Sequence, residues 1–395
     1  MRTNRILVLA GSVAVLAGCA DESTTPVVPA EAVAPLYSAA DPSRAVQGQY
    51  IVVLKDDANP RAVAALAKLT PQFTYTTALK GFAATLNDGQ VNALRRNPAV
   101  AFIEQDQEVS LATTQTGATW GIDRIDQRNL PLSTTYSYTN TGAGVNAYII
   151  DTGIRFDHVD FSGRASTGFD AVTAGGTAAD CQGHGTHVAG TVGGGAWGVA
   201  KGVNLIAVRV LNCSGSGTNA QVAAGMDWVA ANHVKPAVAN MSLGGGASTA
   251  IDAATNRMID SGVVVVVAAG NGNFLGIAQN ACNYSPARVP NAITVGATTS
   301  TDAKASYSNF GTCLDLFAPG SSITSATHSN TTGSKVLSGT SMAAPHVAGV
   351  AALHLQSNPG HTPQQVRDAI VNNATTGKVT SPGTGSPNRL LFTSY

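Results

Sequence analysis

Two kinds of apolar pattern divide the chain. Between Gly48 and Glu104 the apolar residues fall in short runs that alternate or recur at helical spacing. Tyr50–Leu54, Gly81–Leu86 and Val100–Glu104 read as strands, and Phe73–Tyr75 as a further one. Pro60–Leu69 and Asp88–Arg96 carry helical spacing, the first opened by a proline. The order strand, helix, strand, helix, strand predicts a small α+β domain of split-βαβ type. From Trp120 onward the runs change character. Val145–Ile150, Leu205–Val210, Ala237–Met241, Val263–Ala268 and Ala292–Val295 are near-continuous apolar stretches, as strands covered on both faces require. Helical patterns at Ala220–His233 and Ala250–Asp260 lie between them, and an Ala-rich one runs from Met342 to about Leu355. This alternation predicts an α/β domain with a doubly wound parallel sheet. Site residues in such sheets gather at the carboxyl ends of the strands.

The flanking segments set the organisation. Arg2 and Arg5 precede an apolar run, Ile6–Ala17, that is too short to span a bilayer. Residues 1–19 therefore read as an export signal. Leu16-Ala17-Gly18-Cys19 also resembles a lipoprotein signal box. Ordinary signal cleavage that discards Cys19 is the alternative, and membrane attachment is expected only if Cys19 carries lipid. Residues 20–46, rich in Pro, Ala, Ser and Thr, read as a disordered linker. The small domain is placed at 47–111. The large one, after a polar stretch from Ser110 to Thr119, is placed at 112–395.

A formal net charge of zero, with only 12% charged residues, argues against nucleic acid or acidic membranes as partners. With Cys19 set aside, Cys181, Cys213, Cys282 and Cys313 are free to pair outside the cytoplasm, and the residues alone allow three pairings.

Four segments carry candidate chemistry. In Gly339-Thr340-Ser341-Met342-Ala343, Ser341 sits at the start of a helix, where unpaired N–H groups favour a developing negative charge. It is either an ordinary capping serine or a nucleophile with an anion site beside it. Asp151 ends the strand Val145–Ile150 and precedes Thr152-Gly153, as a turn residue or as a site carboxylate. His184 and His187 lie three apart in Gly183-His184-Gly185-Thr186-His187. A zincin pair needs Glu after its first His; Gly185 stands there, and Glu is absent after Glu108, so no catalytic metal is expected. His187 and His346 read as packed structural histidines. Asn271, where Val263–Ala268 runs on through Ala269 and Gly270 into Gly-Asn-Gly, is a turn residue or an amide donor for an oxyanion.

Taken together, in the order Asp, His, Asn, Ser, these motifs resemble the subtilisin-like serine proteases. The resemblance covers nearly the whole chain and is nearest to the aqualysin-like members of the proteinase K branch. Asn283–Arg288, Ser242–Gly246 and Ser386–Leu391 support that closer match. The resemblance implies a serine endopeptidase of broad specificity, acting as a monomer on proteins and peptides through an acyl-enzyme. Ser341 would be the nucleophile, His184 the base, Asp151 its partner and Asn271 the oxyanion donor.

It further implies extended substrate lying beside Ser242, Leu243, Gly244 and Gly245 on one side and Gly215, Ser216 and Gly217 on the other, with Ala269 and Gly270 adjoining. Disulfides Cys181–Cys213 and Cys282–Cys313 are implied, as is structural Ca²⁺ in one or two sites. The first is Asp315 with the Pro290 and Ala292 carbonyls; the second is Asp123, Asp126, Gln127 and Ser133, which equally reads as a solvated helix start. The small domain, ferredoxin-like, would be a propeptide that chaperones and inhibits its own enzyme. Self-cleavage near Leu111–Thr113 would then yield a secreted product with no C-terminal extension. Two rivals are a silent protease-like binding module and an esterase. The esterase pattern Gly-x-Ser-x-Gly is broken at Ala343.

Overall fold

The computed structural model describes residues 33–39, 45–107, 112–273 and 275–395. They fall into two compact units that divide after residue 108. The expected export signal lies outside the described residues.

The first unit is a five-stranded sheet in the order β1-β5-β2-β4-β3, built from β1 (Leu36–Tyr37), β2 (Ala45–Leu54), β3 (Phe73–Tyr75), β4 (Gly81–Thr85) and β5 (Val100–Gln107). Helices α1 (Pro60–Leu66) and α2 (Asp88–Arg95) supply Val63, Ala64, Val91 and Leu94 to a core with Val52, Leu54, Phe82 and Ile103. α2 begins with a reciprocal cap, in which Asn87 and Gln90 satisfy each other's N–H. α1 stops at Leu66, three residues before the expected Leu69, because Lys68 takes a left-handed conformation (φ 55°).

Part of the expected linker is built into this sheet. Leu36 and Tyr37 pair in parallel with Ile103 and Glu104, Ala34 is buried, and the Tyr37 ring meets Phe102 edge-on at 5.5 Å. A two-residue strand in a Pro/Ala context leaves no periodic signal, so only the long-range pairing reveals it.

The second unit opens with β6 (Thr113–Thr116), α3 (Trp120–Ile125) and β7 (Thr135–Tyr138), with β6 and β7 paired antiparallel. Its centre is a nine-stranded sheet. Chain order runs β8 (Asn146–Asp151), β9 (Ala165–Asp170), α4 (His184–Gly193), β10 (Asn204–Arg209), α5 (Asn219–Asn232), β11 (Ala237–Met241), β12 (Gly245–Gly246), α6 (Thr249–Asp260), β13 (Val264–Ala268), β14 (Tyr284–Ser285), β15 (Ile293–Thr298), β16 (Leu316–Pro319), β17 (Ile323–Ala326), β18 (Ser334–Leu337), α7 (Thr340–Ser357), α8 (Pro363–Asn373), β19 (Thr375–Thr376) and β20 (Arg389–Leu390). Sheet order is β19-β20-β16-β15-β13-β11-β8-β10-β9, parallel throughout except for β19.

Both faces are covered, which explains the uninterrupted apolar runs. Ala147, Ile149, Val264 and Val266 point into a core with α4, α7 and α8; Tyr148, Ile150, Val265 and Val267 point into a second core with α5 and α6. α7 runs through the first core with every residue from Met342 to Leu355 buried, which is why that helix reads as apolar all round rather than amphipathic. No helix among the described residues is long and apolar enough to cross a membrane.

Candidate active site

Parallel β8 and β10 carry their chain ends to one edge of the sheet, and the loops there hold the chemistry-bearing residues. Asp151 is the last residue of β8, is fully buried, and accepts the Thr152 N–H at Oδ1. His184 is the first residue of α4. Its Nδ1 lies 2.8 and 3.0 Å from the two Asp151 oxygens. Burial works against the charged imidazolium, but the Asp151 charge and hydrogen bond, with the Asp180 charge added, outweigh it. The net effect raises the His184 pKa above its ordinary value.

Ser341 is the second residue of α7. Its hydroxyl donates to the Ser242 carbonyl at 3.0 Å, and no hydrogen bond joins it to His184. Hydrogen bonds between candidate catalytic groups are often absent without substrate and form only when it binds. Pro345 has no N–H to offer the Ser341 carbonyl one helical turn back. The Ser242 hydroxyl supplies it at 2.7 Å and is itself held by Asn240 Nδ2. The two serines thus fasten each other, the start of α7 to the segment that follows β11.

Asn271 follows β13. Its Oδ1 accepts both the N–H and the hydroxyl of Thr340, at 2.8 and 2.9 Å. This fixes the amide so that Nδ2 faces away from Thr340, with no protein acceptor among the described residues. Gly270, in a left-handed conformation (φ 98°), donates to Thr340 Oγ1 and makes that approach possible.

Two groups that sequence reasoning did not single out complete the support. Asp180 accepts Thr152 Oγ1, the Gln182 and Gly183 N–H groups, and both the N–H and hydroxyl of Thr186. It thereby ties the residue after Asp151 to the helix that starts with His184. Gln182 accepts the His184 N–H at 2.8 Å. The available signal was a polar pair just ahead of a helix start, which is too common to stand out.

A cavity of about 490 Å³ beside His184 is lined by Gly215, Ser216, Gly217, Ser242, Leu243, Gly244 and Gly245, with Val222, Ile251 and Pro286 adding apolar wall. β12, at Gly245–Gly246, is braced from behind by β14. Ala269 and Gly270 do not line this cavity. Ala269 is fully buried, with its N–H given to Val295 and its carbonyl to Asn309. Cys181 is bonded to Cys213 and Cys282 to Cys313; the first pair links the His184 loop to the Gly215 edge. His187 and His346 are buried, held by backbone carbonyls, and pushed down to about 4 by burial, so both are neutral packing groups.

The calcium candidates differ. Asp315 Oδ1 is paired with Arg367 at 2.5 Å and Oδ2 accepts the Thr294 N–H. Arg367 thus answers the charge of Asp315, the carboxylate expected to act with Pro290 and Ala292, yet burial still leaves the carboxyl raised above its ordinary value. Asp123, Asp126, Gln127 and Ser133 fit better. Asp123 accepts from Ser133 and Thr134, and Asp126 Oδ2 from the Ser137 N–H. Asp126 Oδ1 is buried without a partner among the described residues. Burial, with the Asp123 charge added, pushes the Asp126 carboxyl up to about 6, a strain that a cation would relieve. Gln127 Nε2 meanwhile donates to the Asn129 and Pro131 carbonyls. No group of three or more His, Cys, Asp or Glu side chains converges among the described residues.

Residues 142–390 match the subtilase family, peptidase S8, and residues 49–112 match the peptidase inhibitor I9 family. The chain is 53% identical to an extracellular serine proteinase of Thermus sp. (strain Rt41A), over 96% of this chain and 97% of the relative. It is 50% identical to alkaline serine exoprotease A of Vibrio alginolyticus, over 88% of this chain and 68% of the relative. A crystal structure of a cold adapted subtilisin-like serine proteinase matches 71% of this chain and all of its own, with 54% identity and a TM-score of 0.68.

Proposed function

The chain belongs to the subtilase family and is a serine peptidase made as a precursor, and from that premise we propose that Ser341, His184 and Asp151 are its catalytic triad and Asn271 its oxyanion donor. The carrying observation is the contact of His184 Nδ1 with both oxygens of a fully buried Asp151. It leaves Nε2 as the nitrogen available for a nucleophile's proton.

Ser341 Oγ attacks the scissile carbonyl while His184 Nε2 takes its proton. The imidazolium, stabilised by Asp151, returns that proton to the leaving amine. Water then repeats the cycle on the acyl-enzyme. Asn271 Nδ2 and the Ser341 N–H hold the developing oxyanion. Substrate adds as a strand between Ser242–Gly245 and Gly215–Gly217, where backbone must meet backbone. The walls of Val222, Ile251 and Pro286 suit apolar side chains of a protein substrate. The relatives' printed names, extracellular serine proteinase among them, favour this over a silent binding module.

Residues 47–111 act as propeptide, chaperone and inhibitor, with self-cleavage near Leu111–Thr113; Leu111 lies outside the described residues. Residues 1–19 direct export, 20–46 connect, and 112–395 form the secreted enzyme. Calcium, when bound at Asp123, Asp126, Gln127 and Ser133, supplies charge neutralisation that pins the Trp120–Tyr138 segment.

Labelling by a fluorophosphonate, read by peptide mapping, is expected at Ser341. N-terminal sequencing of the secreted protein is expected to begin near Thr113 without inhibitor, and at the propeptide with it. Label at another residue would sink the assignment. Asn271→Ala is expected to lower kcat about 10²–10³-fold with KM little changed, because the oxyanion exists only in and near the transition state. A rise in KM alone would assign Asn271 to ground-state binding instead.

A further inference from the structure

Near the C-terminal end of α7 two imidazoles converge. His354 lies on α7 and is 5% exposed, and His361 lies in the turn before α8. His354 Nε2 is 3.0 Å from His361 Nδ1, with ring centroids 5.1 Å apart. The other nitrogen of His354, Nδ1, is 2.8 Å from the Tyr395 hydroxyl. We propose that His354 and His361 form a binding site for a divalent transition metal that favours imidazole, of the zinc, nickel or copper class.

The separation suits this chemistry. Two nitrogens bound at tetrahedral angles to one such ion stand about 3.3 Å apart, so binding widens the pair by a few tenths of an ångström and turns both rings so that their lone pairs meet at the ion. The Tyr395 hydroxyl plays the outer part that metal-bound histidines usually have: a partner on the second nitrogen that fixes ring and tautomer. When Nδ1 of His354 donates to Tyr395, Nε2 presents a lone pair. His361 then donates from Nδ1 to that lone pair. Binding requires the His361 proton to pass by way of solvent from Nδ1 to Nε2, so that both facing nitrogens present lone pairs to the ion.

A cavity of about 380 Å³ is lined by His361 and not by His354. Asp260 and Lys235 line it and offset each other in charge. The site lies 13 residues along α7 from Ser341, about 20 Å at 1.5 Å per residue. An ion there clamps the end of the helix to the following turn without touching catalysis.

The test uses mature enzyme inactivated by a phosphonate and saturated with calcium, titrated near neutral pH with Zn²⁺ and Ni²⁺. One equivalent is expected to bind, with Tm rising about 5 °C at 100-fold over Kd. Cu²⁺ in the same site is expected to give an electron paramagnetic spectrum split by two imidazole nitrogens. His361→Gln, with full metal-free peptidase activity, is expected to lose the Tm response and the second nitrogen. No Tm rise in the wild-type chain, an equal rise in His361→Gln, or a one-nitrogen spectrum would each overturn the site.

Discussion

Ser341→Ala is expected to lower kcat on a peptide substrate about 10⁶-fold, the scale on which loss of a triad nucleophile acts, and to leave the precursor uncleaved. The nucleophile bond cannot form without Oγ, and no neighbouring group replaces it: Ser242, the other hydroxyl in contact, is committed to the Ser341 carbonyl. The loss is chemical rather than structural. The Ser341 hydroxyl gives up one hydrogen bond, to the Ser242 carbonyl, while the helix around it stays packed. The measurement is residual turnover together with the mass of the accumulated chain. Wild-type enzyme added in trans is expected to process the variant. Mature-length protein made by the variant alone, in a host lacking other proteases, would refute self-cleavage.

Asp151→Asn is expected to cost about 10⁴ in kcat with the fold intact. An amide at this buried position presents N–H to His184 Nδ1, which then must accept. The proton moves to Nε2, the nitrogen that has to receive the serine proton. The pH profile supplies the sign. Asp151 and Asp180 together raise the His184 pKa above its ordinary value, against burial. As the proposed base His184 must be neutral, so wild-type kcat/KM is expected to fall as pH drops through a pKa raised above the ordinary histidine value. Without the Asp151 charge, burial outweighs what Asp180 supplies, and the acid limb of the residual activity moves to lower pH. The same raised pKa stabilises the folded state at acid pH, fully below the unfolded value, and is lost as pH rises through the folded one. An acid limb unmoved by Asp151→Asn would show that another group controls it.

The parts of the site that were legible share one property: each sits at a junction between a regular element and a glycine-bearing turn. Asp151 follows an apolar strand, His184 opens a helix after Gly183, and Ser341 opens another after Gly339. The β8, β10, β11 and β13 positions were legible to within a residue because burial on both faces enforces unbroken apolar runs, whereas β15 runs on three residues past Val295. β9, β16 and the β17–β18 hairpin were not: β9, β17 and β18 mix small and polar residues, and the apolar β16 is only four residues long. Asp315 shows what a local motif leaves out. A motif position can suggest a metal ligand, but only the folded chain shows that Arg367, 52 residues later, already answers its charge.

The amino-acid order by itself determined that this chain folds as a small α+β unit followed by an α/β unit, and which segments carry its serine, imidazole, carboxylate and amide. Those follow from local periodicity and local turn chemistry, which act over a few residues. The tertiary structure alone decided that Asp151 meets His184 through Nδ1, that Asn271 is turned by Thr340, and that Ser242 serves the carbonyl which Pro345 leaves without a donor. Such bonds join residues 33 to 99 positions apart. Their existence depends on how sheet and helices pack, which no short window of sequence encodes.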